Sequence, residues 1–238
     1  MITRLHTLLQ YHQTSFHPVV MVDPATQPLL LMDFSETNTA LTTELITYTP
    51  HFSWYVNDVL QKHQCRFGIG GYNEDRVLYR RSAHFSGTEE RRIHLGTDIW
   101  GPADTAVYAP LGGVVHSTGY NDNFGDYGAT LILQHQLDGV AFHTLYGHLR
   151  LSDLAGKLPG HFISRGEEIG GFGKPEENGN WPPHLHFQVI EDMELKEGDY
   201  PGVCAPSERE KYLRNCPDPD LILQLQQHAL RPATFNAG

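Results

Sequence analysis

The spacing of apolar positions divides the chain into three stretches. In residues 2–13, Ile2, Leu5, Leu8, Leu9 and His12 recur at helical spacing and predict a short amphipathic helix. Residues 19–22 and 29–32 are apolar runs joined by the turn-rich 23–28, and the simple reading is a β-hairpin. Ser35 is placed to cap a helix running through Leu41 and Leu45 to Tyr48, which Thr49-Pro50 should end. In the next helix Phe52, Tyr55, Val56, Val59 and Leu60 form one stripe, expected to pack against a sheet. The glycine cluster of 67–72 lacks both a Gly-x-Gly-x-x-Gly register and a following Lys-Ser/Thr, so it reads as a flexible loop rather than a phosphate cradle.

From residue 92 to 190 the texture becomes short β-rich runs broken by glycine, at 105–109, 113–116, 129–135 and 140–146. This predicts an antiparallel all-β domain. Residues 110–113 and 121–128 read as turn-forming connections, the second long enough to line a groove, and 174–180 as a polar loop walling a cleft. After 191 the chain turns polar, with helices expected at 207–213 and 220–230. The expected fold is mainly β, an antiparallel sheet or sandwich of barrel-like form over 67–191. An α/β extension over 1–66 precedes it, and a helical segment over 192–238 packs on it.

The net charge of -11 argues against a nucleic-acid or anionic-membrane partner. Polar residues interrupt 1–10 too often for a signal-peptide core, and the most apolar run, 28–32, is far shorter than a membrane span. A soluble, cytoplasmic protein is expected. Cys65, Cys204 and Cys216 form no Cys-x-x-Cys pair and read as free thiols packed as small apolar groups, although Cys204 and Cys216 could pair.

The chemistry concentrates in two short runs. On an extended strand His184 and His186 face one way while Leu185, Phe187 and Val189 face the other. The same alternation puts His94, Gly96 and Asp98 on one face, with Gly96 leaving space between an imidazole and a carboxylate for an ion. Imidazole nitrogen and carboxylate oxygen are donors zinc accepts, and three protein ligands plus water make a catalytic rather than a structural site. Spacing alone leaves open whether His184 or His186 is the ligand; the other is left for proton chemistry. His148, emerging after Tyr146-Gly147, could bring a further imidazole beside the ion. Tyr72, Arg76, Tyr127 and Trp181 are candidates for the substrate groove, while His6, His12, His17 and His228 read as solvated surface residues.

With these residues assembled, the segment resembles the lysostaphin/LytM-type zinc metallopeptidases, peptidase family M23, whose fold is the duplicated hybrid motif barrel. The matching pieces are His94-x-Gly-x-Asp98, Ala109-Pro-Leu-Gly-Gly-Val-Val115, 127–135, Leu145-Tyr-Gly-His-Leu149, 164–170 and Pro183-His-Leu-His-Phe187. The resemblance implies that His94, Asp98 and His186 bind one zinc ion per chain and that His148 and His184 are the catalytic pair. It further implies an endopeptidase acting on peptides, typically the glycine- or D-alanine-containing cross-links of peptidoglycan. Two departures bear on substrate choice: residues 178–182 replace the family's usual approach to the Pro-His-Leu-His run, and Gln188 stands where an acidic residue is frequent. Two other readings compete, a non-catalytic zinc-binding regulatory module of the same fold and a phosphocarrier-type barrel. Against the second, Asp98 beside a phosphorylated imidazole would repel phosphate.

Overall fold

A computed structural model describes residues 3–231. In chain order the strands are β1 (Leu29–Met32), β2 (Phe67–Gly70), β3 (Ile93–His94), β4 (Thr97–Trp100), β5 (Ala106–Tyr108), β6 (Gly113–Asn121), β7 (Gly128–Leu137), β8 (Val140–Leu149), β9 (Phe162–Ile163), β10 (Glu168–Gly171), β11 (His184–Ile190), β12 (Val203–Cys204) and β13 (Ala229–Leu230). Nine of them form one sheet in the order β13-β1-β2-β4-β11-β8-β7-β6-β9, and β10 with β5 and β12 with β3 form two small antiparallel pairs. Every pairing from β2 to β9 is antiparallel; only β1 runs parallel to its neighbours β2 and β13. The protein is therefore mainly β, as its alternating texture predicts.

Alternation decides what the sheet buries. Leu185, Phe187 and Val189 of β11 share one core with Ile99, Ile69 and Tyr146 from the neighbouring strands. Each large side chain buried this way contributes about 1.5–3 kcal/mol. The opposite face, over the β1 side of the sheet, is covered by the helix Thr49–Lys62. Its stripe of Phe52, Tyr55, Val56, Val59 and Leu60 packs with Leu30, Met32, Phe34 and Trp100, as the helical spacing predicts.

Several local expectations give way. Residues 19–22 form no strand, and β1 pairs in parallel with β2 and β13 rather than in a hairpin. Val19 and Val20 are consecutive buried residues, so this segment crosses the core irregularly and touches β5 through Tyr108 N–H donating to the Val19 carbonyl. The glycine cluster at 67–70 is a strand, not a flexible loop. Phe67 and Ile69 enter the core, while a Cβ at Gly68 would lie 2.7 Å from the Met32 side chain and one at Gly70 would lie 2.6 Å from Arg76 Nη2. Here glycine permits close packing rather than mobility.

The helix expected to start at Ser35 is confined to Thr43–Thr47, where Thr42 Oγ1 accepts from Leu45 N–H. Ser35 instead sits in a turn with Asp33, Thr37 and Asn38. At the other end, Asp220–Leu223 is a single turn, closed by Gln224 at φ +52°, and the chain then returns to the sheet edge as β13. The N-terminal helix runs Arg4–Tyr11 behind a Thr3 cap. Ile2, assigned to its stripe, lies outside the described residues, as do 232–238 of the expected C-terminal segment. All three cysteines are free and buried. Burial pushes the Cys204 and Cys216 thiols up to about 12, so both are packing groups rather than nucleophiles.

Candidate metal centre

The register of four strands builds the site. Gly70, Asp98, His186 and Gly147 stand side by side on β2, β4, β11 and β8. The two flanking glycines make room: Gly70 for Arg76, and Gly147 for the Tyr127 ring, which a Cβ there would meet at 2.5 Å. His94 arrives on β3, a separate short strand paired with β12, because the chain breaks between β3 and β4 at Leu95 and Gly96. Gly96 is required there, since an added Cβ would lie 2.5 Å from the His186 ring and 2.8 Å from the Phe187 carbonyl oxygen.

Three donor atoms converge. His94 Nε2 lies 3.0 Å from His186 Nδ1, Asp98 Oδ1 lies 3.2 Å from the first and 3.0 Å from the second, and the three residues form a cluster able to hold a metal ion. Their other atoms guide the tautomer assigned to each ring. His94 Nδ1–H donates to the Gly71 carbonyl at 3.0 Å and His186 Nε2–H to Gln188 Oε1 at 2.9 Å. The Gln188 amide is itself oriented by its Nε2, which donates to the Pro201 carbonyl. Tautomers assigned from these partners leave a lone pair on each converging nitrogen.

Two lone pairs and a carboxylate oxygen therefore face one point with no proton among them, all in residues no more than 3% exposed. A buried arrangement of this kind calls for a cation. Donors at about 2.0–2.2 Å from a tetrahedral zinc stand about 3.3–3.5 Å from one another, within a few tenths of an ångström of the separations here. The residues fit the ion. Burial alone would raise the Asp98 carboxyl, but the imidazoles and the Arg76 guanidinium hold it well below the usual carboxylate range. Burial, aided by Arg76, depresses His94 to about 4 against the pull of Asp98, which keeps its imidazole neutral and able to ligate.

Beside this triangle lie two more imidazoles. The His148 and His184 rings are 4.1 Å apart, and each points its Nδ1–H at a carbonyl, that of Asn178 and that of Pro182, both at 2.8 Å. Each Nε2 is therefore a free base. His148 holds φ +63°, a left-handed conformation uncommon away from glycine and kept here by its surroundings. Trp100 stacks on His184 with centroids 3.9 Å apart. Burial depresses both histidines, His184 to about 4 and His148 well below its ordinary value with His184 adding to the effect, so both are neutral near pH 7.

A cleft opens over these residues, lined among others by Tyr127 and Trp181. Of the remaining groove candidates, Arg76 lines the cleft but is only 2% exposed, its guanidinium turned to Asp98 and Glu74. Tyr72 does not line it and donates its hydroxyl proton to the Cys216 carbonyl. Two contributions escaped the sequence reading. The side chain of the fully buried Asn178 ties its loop together through the Gly173 and Trp181 carbonyls and Trp181 N–H, fixing the carbonyl that orients His148. Residues 199–203 and the Leu78 and Phe85 side chains complete the cleft wall from outside residues 92–190, and no motif marks them; Tyr79, expected at the cleft edge, lines it as well.

Comparison with known proteins covers the same segment. Residues 92–197 match the model of Peptidase family M23. The chain is 32% identical over 107 residues to an L-Ala--D-Glu endopeptidase of Bacillus subtilis (strain 168); the match covers 43% of this chain and 31% of that relative's length. Among solved structures, a zinc-containing peptidase from Vibrio cholerae is 30% identical over 41% of this chain and 28% of its own, with a TM-score of 0.33. The catalytic domain of lysostaphin from Staphylococcus simulans is 22% identical over 53% of this chain and 86% of its own, with a TM-score of 0.35. Among the described residues no helix is long and apolar enough to cross a membrane. Residues 92–197 are thus similar in sequence to Peptidase family M23, which bears out the resemblance drawn from the six motifs.

Proposed function

We propose that this protein is a zinc-dependent endopeptidase, with His94 Nε2, Asp98 Oδ1 and His186 Nδ1 holding one zinc ion and His148 and His184 handling protons. The observation that carries the reading is the triangle of three proton-free donors beside two neutral imidazoles. When bound, zinc supplies Lewis acidity, acidifying water and polarising a carbonyl oxygen. His148 and His184, each with Nδ1–H anchored on a carbonyl and Nε2 free, are set to take a proton from attacking water and return it to the departing amine. The imidazole not so engaged hydrogen-bonds the developing oxyanion once protonated. Tyr127, seated against His186, and Trp181, whose Nε1–H donates to the Asp126 carbonyl, form rigid walls that exclude solvent and align an extended peptide.

The substrate proposed is a peptide with small or D-configured residues at the cut, of the glycyl or D-alanyl type found in peptidoglycan; the L-Ala--D-Glu endopeptidase relative supports this class. Three buried free thiols suit a reducing compartment, so the proposal places the enzyme in the cytoplasm. It also divides the chain into an α/β extension (1–66), the peptidase segment (67–191) and a packed C-terminal segment (192–238).

Purified protein should carry about one zinc per chain and cleave glycyl or D-alanyl peptides, and His148→Ala should keep the zinc and lose cleavage. Bound zinc with no cleavage across a diverse peptide panel would instead favour a regulatory module.

A further inference from the structure

Residue 76 lies outside the 92–197 segment, yet its side chain touches the centre of the site. Arg76 Nη1 donates to Asp98 Oδ2 at 2.5 Å and Nε donates to Glu74 Oε2 at 2.7 Å. Glu74 Oε1 in turn accepts from Phe34 N–H at 3.2 Å, and the guanidinium carbon sits 5.3 Å from the centroid of the Phe34 ring. The two oxygens of Asp98 are thus divided between tasks. Oδ1 completes the triangle with His94 and His186, and Oδ2 is committed to Arg76.

We propose that Arg76 is a positioning residue that restricts Asp98 to ligation through one oxygen. The proposal rests on the metal reading above. A carboxylate can bind a cation through one oxygen or chelate through both, and chelation fills a position that a hydrolytic site keeps for water. Rotating Asp98 into a chelating pose would require Oδ2 to leave a buried, charge-assisted hydrogen bond, so the fork of Arg76 holds the carboxylate edge-on. Arginine suits the task where lysine would not. Its planar fork meets Glu74 and Asp98 from two different nitrogens at once, with Glu74 anchored by backbone from the end of β1. The glycine at position 70 is part of the same device, because its missing Cβ gives Arg76 the space to reach Asp98. In this way residues N-terminal to the 92–197 match tune a centre whose ligands all come from within it.

The test uses the full chain with cobalt(II) in place of zinc, since cobalt reports coordination number in its visible absorption. Wild type should show the intense bands of four-coordinate cobalt. Arg76→Met should bind one cobalt per chain with weakened bands, and the zinc form should lose about 10–100-fold in kcat with KM little changed. Arg76→Lys should restore charge without restoring the bands. Because Arg76→Met leaves Glu74 buried without its partner, the double variant Glu74→Gln/Arg76→Met removes both charges and keeps the question open to measurement if the single variant fails to fold. A folded double variant with wild-type bands and wild-type kcat would overturn the proposal and leave Arg76 a structural ion pair. A wild-type protein that takes up neither cobalt nor zinc would overturn the metal reading and this proposal together, a result distinct from variants that match a metal-loaded wild type.

Discussion

His94 Nε2 lies 3.0 Å from His186 Nδ1, and in each ring the opposite nitrogen has already spent its proton on an oxygen acceptor. The pair reaches this contact from strands of different sheets, β3 and β11. With the tautomers assigned above, a shared cation of the kind proposed would account for the contact.

Replacing ligands should therefore separate two effects. His186→Ala should abolish zinc binding with a moderate loss of stability, because it leaves the Arg76–Asp98 ion pair in place. Asp98→Ala should abolish zinc binding and also cost about 3 kcal/mol of folding stability, since Arg76 then keeps Glu74 as its one counter-charge in a buried setting. Elemental analysis and urea denaturation of the metal-free proteins check both. Equal stability of the two variants would count against a buried ion pair at Asp98.

Gly96→Ala tests how tightly the triangle is drawn. The added methyl would stand 2.5 Å from the His186 ring, and the Phe187 carbonyl at 2.8 Å blocks relaxation on the other side. The imidazole must move, and a ligand displaced by even half an ångström leaves the productive geometry. Zinc affinity should fall at least tenfold, read by competition with a chromogenic chelator, while the secondary structure is kept.

Asn178→Ala should act at a distance from the metal. Its fully buried side chain satisfies two carbonyls and one N–H, and losing them should cost about 2–4 kcal/mol. The Asn178 carbonyl that holds His148 in one tautomer loses its rigid support. Expected are retained zinc, reduced kcat and a lower melting temperature. Unchanged kcat would mean that His148 is held by its own strand.

How far these features could be read in advance depends on the range of the interaction behind each. His184 and His186 declare themselves because strand alternation is local, and Phe187 and Val189 on the other face confirm the period. The partner of β1 does not, since parallel pairing with β2 and β13 joins residues 29–32 to 67–70 and 229–230 through contacts no short window contains. Glycines mislead for the same reason: Gly68 and Gly70 read as loop until Met32 and Arg76 are seen occupying the space where their side chains would be. Arg76 was legible as a charge near the cleft, but its commitment to Asp98 follows from the β2–β4 register.

His135 offers a pH test remote from the metal. It is 2% exposed, with Nδ1 on the Gly112 carbonyl and Nε2 beside Thr144 Oγ1, and burial depresses it to about 4 despite the help of that carbonyl. Below its ordinary value of 6.5 the unfolded chain takes a proton that the folded chain refuses until about pH 4. Protons bound in the unfolded state exceed those in the native state across that window, so stability falls as pH drops from about 6.5 to 4, by roughly 2–3 kcal/mol from this residue. Other depressed histidines titrate in the same window, so the comparison is with His135→Gln, which keeps hydrogen-bonding capacity and cannot titrate. Urea midpoints measured on the metal-free proteins from pH 7.5 to 4.5 should fall less steeply for the variant, and parallel curves would show that His135 accepts its proton in the folded state as readily as in the unfolded one.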